Sequence, residues 1–292
     1  MATAVIIGGG PAGISAAVYI ARAGIEATLL YRDGGALLKA HDIRNYYGFP
    51  DGVSGEQLHE LGLRQARALG VNVIKDEVQS IDFEDTLVVK SSSGTFPADA
   101  VVLATGAVRK APSLPGVREL EGRGVSYCAV CDGAFFRGKR VAVLGSGDFA
   151  LHEARDLLPL ASSVTLLTNG LPAPENLPGG IAVDMRKVER IEGEEGVTGV
   201  GFAGGERLPL EAVFIAQGVA GAQDFARRTG ILMDGARIAT DRDMATNVPG
   251  LFAAGDCAGA PYQVAKAVEE GRRAGTAAVA YIRANTAQKT EA

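Results

Sequence analysis

The chain has 292 residues, 22% of them charged, and a formal net charge of −5; that length has room for two packed cores, and the acidic balance disfavours nucleic acid as a partner. No apolar run is long enough to span a membrane, and Met1–Ile7 lacks a basic leader and cleavage site, so it reads as a strand. Three cysteines form no secreted disulfide framework, and a soluble chain of a reducing cytoplasm is expected.

Ala4–Ile7 is a short β-type run, followed by Gly8-Gly9-Gly10-Pro11-Ala12-Gly13, a helical pattern over Ile14–Ala23 and a second strand over Ala27–Tyr31. Strand, G-x-G-x-x-G, helix and strand within one unit is the context in which such glycines bind a dinucleotide. Gly8 allows the tight turn, Gly10 lets the backbone approach a pyrophosphate, and Gly13 lets helix and strand pack closely, while the helix N-terminus attracts the anion. The acid that ordinarily ends the second strand and holds a ribose is missing. Tyr31 and Arg32 stand there, and Asp33, one turn late, is the candidate substitute.

Loops are expected at Gly34-Gly35-Ala36-Leu37 and at Asn45 to Pro50, an amphipathic helix over Leu58–Leu69, and strands over Val71–Val78 and Thr86–Val89. Ala100–Leu103 reads as a buried strand that ends in Ala104-Thr105-Gly106-Ala107 and closes the first segment. A linker, Ala111–Gly116, follows.

Next comes Tyr127-Cys128-Ala129-Val130-Cys131-Asp132-Gly133. Two thiols separated by two residues can cycle between dithiol and disulfide, and the adjacent carboxyl of Asp132 can protonate a departing thiolate. The bland alternatives are a zinc half-site or two inert buried cysteines. Zinc needs four ligands, and Cys257, His41, His59 and His152 lie at no metal-ligand spacing. No metal is expected.

Val141–Leu144, Gly145-Ser146-Gly147-Asp148-Phe149-Ala150, a helix through Leu158 and a strand over Val164–Leu167 repeat the dinucleotide pattern. The second strand, however, ends in neither an acid for an NAD ribose nor arginines for an NADP phosphate. Asn169–Gly180 then carries three prolines and three glycines, which forbid the helix that a parallel crossover ordinarily uses. The half-fold is expected to have lost its crossover helix, its glycine loop to survive as packing, and Phe149 to put bulk where a nicotinamide cofactor needs space.

Short strands over Val188–Ile191, Val197–Phe202, Glu206–Leu208 and Ala212–Ile215 finish this segment, with a turn at Gly193-Glu194-Glu195-Gly196. The closing segment reads as a strand over Thr246 to Asp256 and a long helix over Gln263–Ile282. Asp256 is placed to bind the alcohols of a ribityl chain, and the helix start can face the pyrimidine end of a flavin. Cys257 reads as a small buried residue.

With these motifs in place the chain resembles the low-molecular-weight thioredoxin reductases over nearly its whole length: Gly8 to Gly13, Asn45, Ala104 to Gly106, Cys128 to Asp132 and Gly255-Asp256 fall in that family's order. The resemblance implies an α/β fold of two Rossmann-like three-layer domains. An FAD domain would be built from residues 1–110 and 237–292, with residues 111–236 inserted as a shortened NAD(P)H-domain-like domain carrying the C-x-x-C pair. It implies FAD lined by Gly8, Gly10, Pro11, Ala12, Gly13, Tyr31, Gly35, Leu37, Asn45, Val78, Ala104, Thr105, Gly106, Gly255, Asp256, Gln263, Val264 and Ala265. It also implies a homodimer, a rotation between domains, Cys131 facing the flavin, Cys128 attacking thioredoxin, and Asp132 as acid/base. The family's His-Arg-Arg stretch after the second strand is here Thr168-Asn169-Gly170-Leu171, and the Gln after its paired glycines is Ala36. These losses resemble the atypical branches, among them the ferredoxin-dependent flavin enzymes and the deeply rooted reductases.

The expected function is reduction of a thioredoxin-type disulfide through FAD and the Cys128–Cys131 pair, with reduced ferredoxin as donor. Arg109, Lys110, Arg137, Lys139, Arg140, Arg272 and Arg273 are candidates for docking that donor. The alternatives are an NADH- or NADPH-dependent reductase, a small-molecule dithiol oxidase using oxygen, and a non-catalytic flavin redox sensor.

Overall fold

The computed structural model describes residues 2–106, 113–217 and 221–291, with side chains to residue 287. Contacts divide the chain into two compact units, Met1–Val108 with Gly221–Ala292, and Arg109–Ala220.

The first unit begins with β1 (Thr3–Ile7), α1 (Pro11–Arg22) and β2 (Glu26–Tyr31), continues through α2 (Gly55–Ala68) and β3 (Asn72–Lys75), then β4 (Val78–Phe83), β5 (Leu87–Ser91), β6 (Thr95–Ala98) and β7 (Ala100–Leu103). Where one strand was expected over Val71–Val78, the chain breaks into β3 and β4. The Asp76 carboxylate is the cause: it accepts the Ser91 and Ser93 hydroxyls and the Glu77 and Ser93 backbone N–H groups, which competes with ladder pairing.

The second unit contains β8 (Val125–Ser126), the one-turn α3 (Ala129–Asp132), β9 (Arg140–Leu144), α4 (Asp148–Leu157), β10 (Ser163–Leu167), β11 (Ile181–Asp184), β12 (Val188–Gly193), β13 (Val197–Phe202), β14 (Arg207–Pro209) and β15 (Ala212–Ile215). Its parallel sheet has the order β11-β10-β9-β15-β8, beside the antiparallel meander β12-β13-β14. β10 and β11 are parallel neighbours, with Val164 opposite Ile181, and the chain between them has turns and no helix. The crossover helix is absent, as the prolines demand.

The chain then returns to the first unit through α5 (Ala222–Thr229), the short strands β16 (Met233–Asp234) and β17 (Arg237–Ile238), β18 (Leu251–Ala253) and α6 (Val264–Glu291). The second boundary therefore falls at 220/221 and not at the expected 236/237. Ala222, Phe225 and Ala226 are buried on one face of α5, and this helix packs on β4 and β17 of the first unit.

The parallel sheet of the first unit has the order β18-β7-β1-β2-β3. β7 is buried along its whole length, which suits a strand with neighbours on both faces. α1 and α6 cross closely because α6 offers glycines there. A Cβ on Gly271 would lie 2.1 Å from the Ala12 carbonyl oxygen, and one on Gly275 would lie 2.7 Å from that of Ala16. The end of α6 lies well beyond the expected Ile282. None of the helices among the described residues is long and apolar enough to cross a membrane.

Candidate functional site

The first unit gathers a cradle at the carboxyl ends of its parallel strands. Gly8 has φ +118°, and a Cβ there would stand 2.1 Å from the Ala104 carbonyl oxygen; one on Gly13 would stand 1.8 Å from that of Gly8. These two glycines are demanded by the fold. Gly10 differs, since a Cβ there meets nothing within 4 Å. It caps α1, whose first turn has Pro11, no acidic residue and no side-chain cap. Its free N–H groups and helix dipole suit a pyrophosphate.

Gly255 closes the cradle from the other end of the chain: its φ is +83°, and a Cβ there would meet Ala12 Cβ at 2.8 Å. Two charged residues of α6 grip its peptide. Lys266 Nζ donates to the Gly255 carbonyl at 2.9 Å and pairs with Glu270 at 2.8 Å, and Glu270 accepts the Gly255 N–H at 2.9 Å. Next to this clamp, burial pushes the Asp256 carboxyl up; the Lys266 ammonium opposes that shift and the Glu270 carboxylate adds to it. Asn45 and Gln263, 218 positions apart, meet through a 2.7 Å hydrogen bond. Val264 opens α6 with Ala265 behind it, Leu37 and Val78 are buried, and neither Gly35 nor Gly106 has an atom in the way of a Cβ. The expected substitute acid closes its own loop, with Asp33 accepting from the Gly35 N–H and from Arg32.

Two buried polar atoms, Thr105 Oγ1 and His59 Nδ1, have no hydrogen-bond partner among the described residues. Unpartnered buried polar atoms are costly. Thr105 adjoins the open Gly106, and His59 approaches Gly34 of the β2 loop. The glycine loop, the helix N-terminus, the open glycines and the unpartnered atoms fit a dinucleotide such as FAD.

In the second unit, Cys128 and Cys131 are joined in a disulfide with their Cα atoms 5.3 Å apart. Cys128 caps α3, and its sulfur accepts the Cys131 N–H at 3.2 Å. Ser126 donates its hydroxyl to Asp132 at 2.6 Å and accepts the Cys128 N–H at 3.1 Å. Glu153 of α4, only 1% exposed, accepts the Ala129 N–H at 2.6 Å. Cys128 is buried, Cys131 exposed and Val130 60% exposed.

Sequence reasoning missed Ser126, Glu153, Lys266, Glu270 and His59. A glutamate on amphipathic α4 reads as solvent-facing, so nothing local marks Glu153; Lys266 and Glu270 carry at least the i,i+4 spacing of a helical ion pair. Cys257 is wholly buried and burial pushes its thiol up to about 11. Among the described residues, no group of three or more His, Cys, Asp or Glu could hold a metal.

The residues that stand in place of the family's phosphate-binding stretch serve the backbone. Thr168 Oγ1 donates to the Leu171 carbonyl at 2.6 Å, and Asn169, at φ +55°, accepts the Val188 N–H at 2.9 Å. Phe149 is buried, with its ring packed inside the second unit.

The profile of the pyridine nucleotide-disulphide oxidoreductase family matches residues 2–172 and 176–271. A thioredoxin reductase of Listeria monocytogenes is 35% identical, with 95% of this chain and 93% of that protein covered; one of Bacillus subtilis is 38% identical, covering 86% and 85%. Among solved structures, the atypical thioredoxin reductase TRi from Desulfovibrio vulgaris Hildenborough is 39% identical with a TM-score of 0.91, covering 97% of this chain and 98% of that one. A ferredoxin-flavin thioredoxin reductase from Clostridium acetobutylicum is 30% identical with a TM-score of 0.73, covering 97% and 98%.

Proposed function

The chain belongs to the thioredoxin reductases of the pyridine nucleotide-disulphide oxidoreductase family, flavin-dependent disulfide oxidoreductases that bind FAD, and from that premise we propose that it reduces thioredoxin with electrons from reduced ferredoxin. The observation that carries the choice of donor is the stretch from Thr168 to Gly180, where the phosphate-binding residues and the crossover helix are both replaced by turns. Losing phosphate contacts alone would exchange NADPH for NADH; losing the helix as well removes support for either. A bound flavin supplies the chemistry that accepts electrons singly and passes them on in pairs.

The chain's own residues do the rest. Two electrons and two protons open the Cys128–Cys131 bond. The Cys128 thiolate attacks the partner disulfide, Asp132 protonates the partner thiolate that leaves, and Cys131 then displaces the reduced partner and restores the bond. Cys128 is 1% exposed, so this attack goes with a rearrangement that uncovers it. Of the expected docking residues, Arg140 is engaged by Glu211 and Arg272 by Glu269, and Arg273 is half-buried. Arg109 and Lys110 lie outside the described residues. The proposal therefore uses Arg137 and Lys139, both exposed. A cytoplasmic homodimer is part of the same reading.

Stopped-flow mixing under argon tests the donor. Reduced ferredoxin is expected to bleach the flavin, and thioredoxin to be reduced in turn. Rapid bleaching by micromolar NADPH or NADH would overturn the assignment.

A further inference from the structure

Dinucleotide folds of this kind ordinarily hold the adenosine ribose with an acid at the end of the second strand. Here that strand ends in Tyr31, followed by Arg32, and Asp33 is engaged by its own loop. Another side chain reaches the vacated place from a different element. His59 of α2 sits edge-on to the Tyr31 ring, with centroids 5.8 Å apart, and a Cβ on Gly34 would lie 3.0 Å from its ring carbon. Its Nδ1 is buried without a hydrogen-bond partner among the described residues. Beside Tyr31 at the end of β2, that nitrogen is thus left unsatisfied by the protein.

We propose that His59 Nδ1 takes over the task of the missing acid and accepts a hydrogen bond from a hydroxyl of the adenosine ribose of FAD. A neutral imidazole with one N–H donated has one acceptor nitrogen, which is what a ribose hydroxyl requires. Burial lowers the His59 pKa, in keeping with a neutral ring. A purely packing role would account for the Tyr31 contact but leaves a buried acceptor unsatisfied. The inference rests on FAD being the cofactor, and it concerns only the adenosine half, so the isoalloxazine chemistry is untouched by it.

The test uses the full chain stripped of flavin and titrated with FAD, with FMN, which has no adenosine, and with an FAD analogue whose adenosine ribose lacks both hydroxyls. The unmodified chain is expected to bind the analogue about tenfold more weakly than FAD. His59→Leu is expected to weaken FAD by about the same factor, to leave FMN unchanged and to lose discrimination against the analogue. His59→Asn, whose amide oxygen can occupy the Nδ1 position, is expected to restore most of the affinity. Equal binding of FAD and analogue by the unmodified chain overturns the proposal without any variant. Undiminished FAD affinity in His59→Leu, or parallel loss of FAD and FMN, also overturns it. Failure of the unmodified chain to take up FAD removes the cofactor reading itself, a result distinguishable from loss of the His59 contact alone.

Discussion

Glu153 places a carboxylate oxygen 2.6 Å from the backbone nitrogen of Ala129, the residue that follows Cys128, and does so from a side chain only 1% exposed. A buried carboxyl therefore accepts from an N–H group at the start of the redox turn, where its ionised form places a negative charge. A negative charge there opposes formation of a thiolate. Glu153→Gln retains the size and an acceptor oxygen while removing the charge, and it is expected to make the Cys128–Cys131 pair more oxidising. Equilibration against dithiol buffers of known potential measures this, and an unchanged or lower potential would contradict it. Glu153→Ala also leaves the Ala129 N–H unsatisfied and is expected to cost about 2 kcal/mol of stability.

The glycines of the first loop separate fold from binding. Gly10→Val is expected to fold with unchanged circular dichroism and to lose FAD, because its side chain enters open space at the start of α1. Gly13→Ala is expected to lose folded protein, since its Cβ collides with the Gly8 carbonyl. Flavin absorbance and circular dichroism together check both, and a yellow Gly10→Val protein would refute the first.

The three cysteines are expected to divide two to one. Cys128→Ser and Cys131→Ser should each abolish disulfide reduction, whereas Cys257→Ser should be close to neutral. Cys257 is wholly buried, its thiol is pushed up to about 11, and its sulfur contacts the Leu103 and Ala254 carbonyls at 3.4 and 3.3 Å. Mass spectrometry of the natively folded, reduced protein after alkylation near neutral pH is expected to find Cys257 unmodified.

Asp256 should show a trade between stability and binding. Its folded pKa is raised by burial, so its favourable contribution to the flavin-free fold is present below the ordinary carboxylate value of about 4 and is lost as pH rises through the raised value. Asp256→Asn removes that loss. The flavin-free variant is expected to melt higher than the unmodified chain near neutral pH, with the difference vanishing in acid, while FAD binds more weakly because an acceptor for the ribityl alcohols has gone. Melting curves from pH 4 to 8 and a flavin titration decide both halves.

The sequence by itself determined what depends on neighbouring residues. Gly8, Gly10 and Gly13 lie in one loop and act through the backbone, the Cys128–Cys131 spacing is a property of one turn, and Pro172, Pro174 and Pro178 forbid a helix wherever the rest of the chain goes. Tertiary structure alone decided the pairings made by distant elements: His59 beside Gly34, Asn45 on Gln263, Lys266 and Glu270 around Gly255, and Glu153 on Ala129. It also decided that α5 belongs with the first unit, because the apolar face of Ala222, Phe225 and Ala226 is blind to which core it will meet. Periodicity shows that a side chain will be buried, but the partner of a buried polar atom is set by how helices and strands far apart in the chain pack together, and no local pattern encodes that geometry.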